Sequence, residues 1–138
     1  HLNHELTCKK GLHTKIKPSQ ADIKSINRGI KYLAKTNSYD HIQALVVRDN
    51  KIIAKEDNRG TKKMMTKLKN NSGGILIKFP KKKQDLRMDL PTIGIQTIKD
   101  CKKYGLKGIV LKSKKNIFLD KSKSIEFADK NKIFILIK

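Results

Sequence analysis

The sequence predicts one layered α/β domain built on a mixed sheet. Three observations lead there. Segments with apolar residues at helical spacing alternate with short β-branched runs. Turn and cap residues fall at the joints between them. The order helix, hairpin, helix, strand is read twice, which suggests a duplicated unit. A chain of 138 residues also suits one compact core rather than two.

Residues 1–17 show no clear period and are read as a tail or interdomain linker, with the domain spanning 18–138. Pro18-Ser19 then opens a helix, with Ser19 as its cap and Ile23, Ile26, Ile30 and Leu33 as its inward face. From Ile42 to Glu56 two apolar stretches, Ala44–Val47 and Ile52–Ala54, flank Asp49-Asn50, a hairpin-turn signal. Thr61 to about Asn70 reads as a short helix with Met64, Met65 and Leu68 inward. Gly73-Gly74 ends it, and Ile75-Leu76-Ile77 follows as a buried strand. In the second half a helix runs from about Thr92 to Tyr104 and stops at Gly105. Gly108–Leu111 and Asn116–Leu119 are read as the second hairpin, joined by a lysine-rich turn. Asp120 caps a last helix containing Ile125, Phe127 and Ala128, and the chain closes with the strand Ile133–Ile137.

The formal net charge of +21 raises the possibility of a nucleic-acid binder. The distribution argues against it. Only Arg28, Arg48, Arg59 and Arg87 are arginines among 33 basic residues, and the lysines spread over nearly every segment. A nucleic-acid surface concentrates its charge and favours the bidentate guanidinium. With four Phe, three Tyr and no Trp, stacking platforms are scarce. The balance favours anionic ligands or an anionic membrane surface. No apolar run reaches the roughly 18 residues that a membrane-crossing helix needs. The two cysteines, Cys8 and Cys101, have no paired spacing, which fits neither a disulfide framework nor a zinc site and suits a reducing compartment. The first residue is His1 rather than Met, so the sequence is read as a piece of a longer protein.

One segment carries chemistry. In Gln84-Asp85-Leu86-Arg87-Met88-Asp89-Leu90-Pro91 the residues alternate. On an extended chain Asp85, Arg87 and Asp89 share one face, and Leu86, Met88 and Leu90 the other. Two carboxylates about 7 Å apart can share a Mg²⁺, directly or through its waters. The guanidinium between them can bind phosphate oxygens, and Thr92, as cap of the following helix, adds backbone donors for an anion. The bland alternative is an exposed strand face on which Arg87 neutralises its neighbours. Other signals weigh less. His1 and His4 belong to the tail, and His13 and His41 have no partner at catalytic spacing. Cys101, among lysines on a helix, is read as a small packed residue rather than a reactive thiol. Met64, Met65 and Leu68 are read as core, with a channel for acyl chains as the alternative. No P-loop is present.

The stretch Gln84–Gly94 closely resembles the signature of the LpxI-type UDP-2,3-diacylglucosamine pyrophosphatases of lipid A biosynthesis. The flanks agree: Ala44–Arg48 before the hairpin turn, Gly60-Thr61 opening a helix, Gly73–Lys78 before the motif and Gly105–Ile109 after it. The resemblance covers about residues 11–137. It implies a C-terminal catalytic domain joined to an N-terminal Rossmann-like domain, with the lipid nucleotide bound between the two. It implies Mg²⁺-dependent hydrolysis of the pyrophosphate to UMP and 2,3-diacylglucosamine 1-phosphate, called lipid X. Carried over to matching positions, it makes Asp85, and next Asp89, the metal ligand or water-orienting group. Arg87 is the phosphate-binding candidate, with Thr61 and Thr92 in secondary anion-binding roles. With the cysteine usage, it implies a cytoplasmic protein peripheral to the inner membrane and no nucleic-acid partner. One departure stands out. The family usually has acidic residues around its Gly-Thr pair, and this chain has Arg59-Gly60-Thr61-Lys62. Two rival readings make different predictions. A basic nucleic-acid module would bind with steep salt dependence and no need of Mg²⁺. A membrane-surface domain would bind vesicles even without Asp85 and Asp89.

Overall fold

The computed structural model describes residues 10–35, 43–69, 73–80, 92–113 and 116–138. Its spine is a six-stranded sheet formed by β1 (Gly11–Leu12), β2 (Ala44–Arg48), β3 (Lys51–Lys55), β4 (Ile75–Lys78), β6 (Gly108–Leu111) and β8 (Phe134–Ile137). The spatial order is β1-β8-β6-β4-β2-β3. Strands β4, β6 and β8 are parallel, and the outer strands join antiparallel, so the sheet is mixed as expected. A separate two-stranded parallel sheet pairs β5 (Thr92–Ile93) with β7 (Ile117–Phe118).

Four helices sandwich the large sheet: α1 (Gln20–Lys35) on one face, and α2 (Thr61–Met65), α3 (Ile95–Lys103) and α4 (Lys121–Lys130) on the other. Alternation along the strands sorts the core into two layers. Leu45, Val47, Ile75, Ile77, Val110 and Phe134 meet Ile26 and Leu33 of α1. Ala44, Val46, Leu76, Ile109, Leu111 and Ile135 meet Met64, Met65, Ile98, Cys101 and Ala128. Helix α1 lies close to the strands because Gly29 faces them. A Cβ there would stand 2.5 Å from Ile77 Cδ1 and 2.9 Å from Val47 Cγ1.

Local chemistry explains where elements start and turn. Ser19 and Asp22 form a reciprocal capping box at α1: the Asp22 N–H donates to Ser19 Oγ (3.0 Å) and the Ser19 N–H to Asp22 Oδ2 (2.9 Å). The β2–β3 hairpin turns at Asp49 (φ 50°) and Asn50 (φ 61°), the paired positive φ that a two-residue hairpin turn demands. Helix α3 ends at Tyr104 and Gly105.

Several expectations need correction. Residues 11–12, read as part of a tail, form β1 and pair with β8, and Thr14 Oγ1 accepts the Ile135 N–H at 3.1 Å. Ile23, placed on the inward face of its helix, is 42% exposed. Helix α2 stops at Met65, and Leu68 packs from the turn beyond it. Asp120 occupies the cap position of α4 but in the left-handed region, with no side-chain cap bond. Thr92 caps nothing: it lies in β5, and Gly94 holds the cap position of α3. The second hairpin does not form. All four residues of β6 are buried, and its two edges are taken by β4 and β8, so β7 pairs with β5 instead. The duplicated unit therefore has no counterpart in the strand pairing.

Candidate functional site

A cleft of about 530 Å³ opens at the end of the sheet where β4 finishes. Gln43 and Lys78 line it from the strand ends, and Glu56 and Asp57 from the exit of β3. Arg59 to Lys62 and Met65 line it from α2 and its approach, and Thr97 and Asp100 from α3. Ala44, Lys78, Leu111 and Ile137 fall in one pairing row across the sheet, so this is the carboxyl end of the parallel strands. Ligands of open α/β sheets gather at that end because the loops there diverge.

Glu56 organises the floor. It is 7% exposed, and its carboxylate accepts the Gln43 N–H at 3.1 Å and the hydroxyl of Thr61. The Glu56 N–H in turn donates to Ala44 O at 2.9 Å. Gly60, with φ 94°, makes the left-handed step between these groups and α2, a step that an L side chain resists. Lys78 is the half-buried cation facing Glu56. Burial pushes its ammonium below the ordinary lysine range, and the Glu56 charge pulls the other way. Its backbone is held by the fully buried Asn116, whose side-chain amide donates to Lys78 O (3.3 Å) and Lys112 O (3.4 Å).

The rim is a second, exposed set. Asp57 accepts from the Arg59 guanidinium at 2.8 Å and from the Arg59 N–H at 2.9 Å, with Lys67 at 3.8 Å. The Arg59 side-chain hydrogen bond, and next its backbone one, hold the Asp57 carboxyl at about 2. Arg59 is thus tied to a carboxylate two residues upstream, while Lys62 stands exposed at the mouth.

The residues named from sequence are distributed unevenly. Asp85, Arg87 and Asp89 lie outside the described residues. Thr61 is in the cleft, but its hydroxyl proton goes to Glu56 and it caps no helix. Thr92 is exposed in β5 and does not line the cleft. The signature segment leaves and rejoins the described chain between Lys78 and Thr97, both of which line the cleft. Cys101 is fully buried, and burial pushes its thiol up to about 12, as suits a packed residue. Met64 and Met65 are core, with Met65 also touching the cleft.

The sequence reading missed Glu56, Lys78 and Asn116. Each was legible only as the end of a strand: a charged or amide residue beside an apolar run is the ordinary sign of a strand terminus. Among the described residues no group of three side chains is arranged to hold a metal ion. Glu56, Asp57 and Asp100, the described carboxylates of the cleft, each already accept hydrogen bonds from the chain itself and are not clustered, so they do not by themselves fit a Mg²⁺ site. What the described cleft can do is bind an anion at Lys78 in a partly dry setting, where a charged hydrogen bond is strong.

The family described as LpxI C-terminal domain matches residues 9–136. A relative from Caulobacter vibrioides, UDP-2,3-diacylglucosamine pyrophosphatase LpxI, is 29% identical over 142 residues, covering 96% of this chain and 51% of its own length. The chain spans about half the length of that curated relative. The match runs through β1 to β8 almost without remainder, and this chain belongs to the LpxI C-terminal domain family.

Proposed function

We propose that this chain supplies the catalytic half of a hydrolase that cleaves the pyrophosphate of UDP-2,3-diacylglucosamine. Water adds to one phosphorus, the P–O–P bridge breaks, and UMP and lipid X leave. The observation that carries this reading is the bracketing of the Gln84–Gly94 signature by two cleft residues, Lys78 and Thr97, in a chain of this family.

In this reading Lys78 binds a phosphate oxygen, and Glu56 keeps its ammonium charged and aimed. Arg87 binds a second oxygen, and Thr61 holds Glu56 in place while its lone pairs stay available at the cleft. Asp85 and Asp89 are the groups that would hold Mg²⁺ or orient the attacking water, and the metal's chemistry there would be to neutralise phosphate charge. Thr92, within the signature, keeps a lesser anion-contacting role. The substrate lies between this domain and an N-terminal domain of the same protein, in the cytoplasm at the inner membrane. Support for that placement comes from the sheet. Gly11 pairs with Ile137, in the same row as Lys78. The chain therefore enters at the cleft end, three strand spacings or roughly 14 Å from Lys78.

The test is UMP release from UDP-2,3-diacylglucosamine by the full-length protein, with Mg²⁺ and with EDTA. Metal-dependent release that is abolished in Asp85→Ala or Asp89→Ala, with the fold intact, is the expected result. The isolated 138-residue chain should be weakly active or inactive. Full activity of both aspartate variants would overturn the catalytic assignment, and no release from a folded full-length protein would overturn the function.

A further inference from the structure

The outer face of α1 is unusual for a helix in a folded domain. Lys24, Arg28, Lys31 and Lys35 are all exposed and recur at spacings of four, three and four. At 3.6 residues per turn they fall within an arc of about 60°. Exposed helix faces usually set Glu or Asp against Lys at these spacings, because like charges at i, i+4 repel. Here every neighbour along the stripe is another cation. The single acid of the helix, Asp22, is buried and bonded to Lys107 at 2.8 Å.

The stripe widens to both sides. Lys55 of β3 reaches over Tyr32, with Nζ 3.2 Å from its hydroxyl and 5.3 Å from the ring centre. On the other flank Lys138 Nζ lies 3.3 Å from Asn27 Oδ1. Ile23 adds an exposed apolar side chain at the edge. Among the described residues, the remaining acids collect elsewhere. Glu56, Asp57, Asp100, Asp120, Glu126 and Asp129 belong to the cleft or to the side of α3 and α4, and Asp49 to the hairpin tip. An overall excess of lysine would leave both sides of the sheet alike. Apart from Asp49, whose neighbour Asn50 meets the first half of α1, the described acids outside the helix lie away from it, and the lysine excess alone does not explain that.

From this asymmetry we infer that the outer face of α1 is a docking surface for an anionic lipid bilayer. A convex ridge of flexible cations flanked by one apolar side chain matches a plane of headgroups. The hollow beside it, about 260 Å³ between Arg28, Lys31, Tyr32, Lys35 and Ile52, is too short to track a nucleic-acid strand, and Lys55 sits over its Tyr32 ring, leaving no free stacking platform. The preference for lipid also rests on the proposed lipid-linked substrate. Ser25 Oγ accepts the Asn50 N–H at 2.7 Å, which pins the first half of α1 to the hairpin tip. The helix thus runs towards the end of the sheet that holds the cleft, with the cleft-lining helices α2 and α3 on the opposite face.

The experiment is co-sedimentation of the full-length protein with phosphatidylglycerol–phosphatidylcholine vesicles and with pure phosphatidylcholine vesicles. Two fourfold variants of equal charge are compared: Lys24→Gln, Arg28→Gln, Lys31→Gln, Lys35→Gln on α1, and Lys63→Gln, Lys99→Gln, Lys123→Gln, Lys130→Gln on the opposite side. All eight positions are exposed, so both proteins should fold. At about fivefold per basic residue near a charged surface (about 1 kcal/mol each), the α1 variant should bind anionic vesicles at least ~10²-fold more weakly. The control should lose only a few-fold, and neither protein should bind neutral vesicles. Both variants should hydrolyse detergent-dispersed UDP-2,3-diacylglucosamine at the unmodified rate. Equal losses in the two variants would reduce the effect to net charge and overturn the inference. So would an unmodified protein that ignores anionic vesicles, or one whose α1 stripe is needed only for single-stranded RNA. Vesicle binding without any hydrolysis would remove the proposed function and leave the docking surface standing.

Discussion

The two faces of the sheet solve the same burial problem differently. On one, a single long helix comes down at Gly29, and the Phe134 ring covers Gly108 where a side chain would have no room. On the other, three short helices meet the strands through Met64, Met65, Ile98 and Cys101, and a cleft remains at their margin. The first face is closed by small residues that admit close approach, the second by adaptable ones such as methionine. Buried polar side chains occur on both faces but serve different ends: on α1, Asp22 and Ser25 close a helix cap and hold the hairpin tip, whereas Glu56 and Lys78 border the cleft. The contrast teaches that tight packing on the α1 side can hold the sheet while the cleft side carries groups that do not favour stability.

Substitutions can break that contrast. Phe134→Ala should cost most, about 3–5 kcal/mol in urea unfolding, because a large ring in a close-packed layer leaves a cavity. A loss near 1 kcal/mol would mean the α1 layer collapses easily. Lys78→Met should lower kcat/KM by roughly 10²–10³, the scale of losing one aligned donor to developing charge. Its melting temperature should change little, since removing a desolvated ammonium offsets the loss of the cation facing Glu56, whose carboxylate keeps its Gln43 and Thr61 donors. A variant that unfolds instead would make Lys78 a structural residue. Gly29→Val should cost about 1–3 kcal/mol by overpacking, against less than about 1.5 kcal/mol for Met65→Leu on the other face. Equal costs would erase the difference in tightness.

Smallest is Asp22→Asn, at about 0.5–2 kcal/mol for a weakened cap. Burial alone would raise the Asp22 carboxyl, but hydrogen bonds from Lys107 and Ser19 outweigh it and leave it below its ordinary 3.8. A depressed folded value stabilises the protein above the unfolded one. Its contribution is therefore present above about pH 4 and lost as the pH falls through the lower folded value. The asparagine variant should show a shallower decline in stability below pH 4, read by urea midpoints at successive pH values.

Most of the framework was legible because local signals and tertiary context agreed. Ser19, the Asp49-Asn50 turn, Gly105 and the apolar runs of β2, β4, β6 and β8 each stood where the chain uses them. The failures share a cause. Thr92 and Asn116–Leu119 carry local patterns compatible with a cap and a hairpin arm, but β6 has no free edge to offer, so β5 and β7 find each other. Residues 11–12 are too few to show a period and become a strand only because β8 presents an edge. In the candidate site, the signature was legible as spacing plus resemblance. The Glu56–Thr61 bond and the Asn116 clamp on Lys78 join residues far apart in sequence or hidden at strand ends, and no local pattern announces them.

The pairing of β1 with β8 bears on time as well as on shape. Thr14 and Ile135 are 121 residues apart in sequence, yet share a hydrogen bond. Closing so long a loop is entropically late work, rewarded only after the parallel strands between have come together. The β2–β3 hairpin can form early and alone, whereas β1 has only two residues with which to latch the sheet. In amide hydrogen exchange β1 should open first and close last, a fast-fraying seam on a domain whose centre exchanges only through global unfolding.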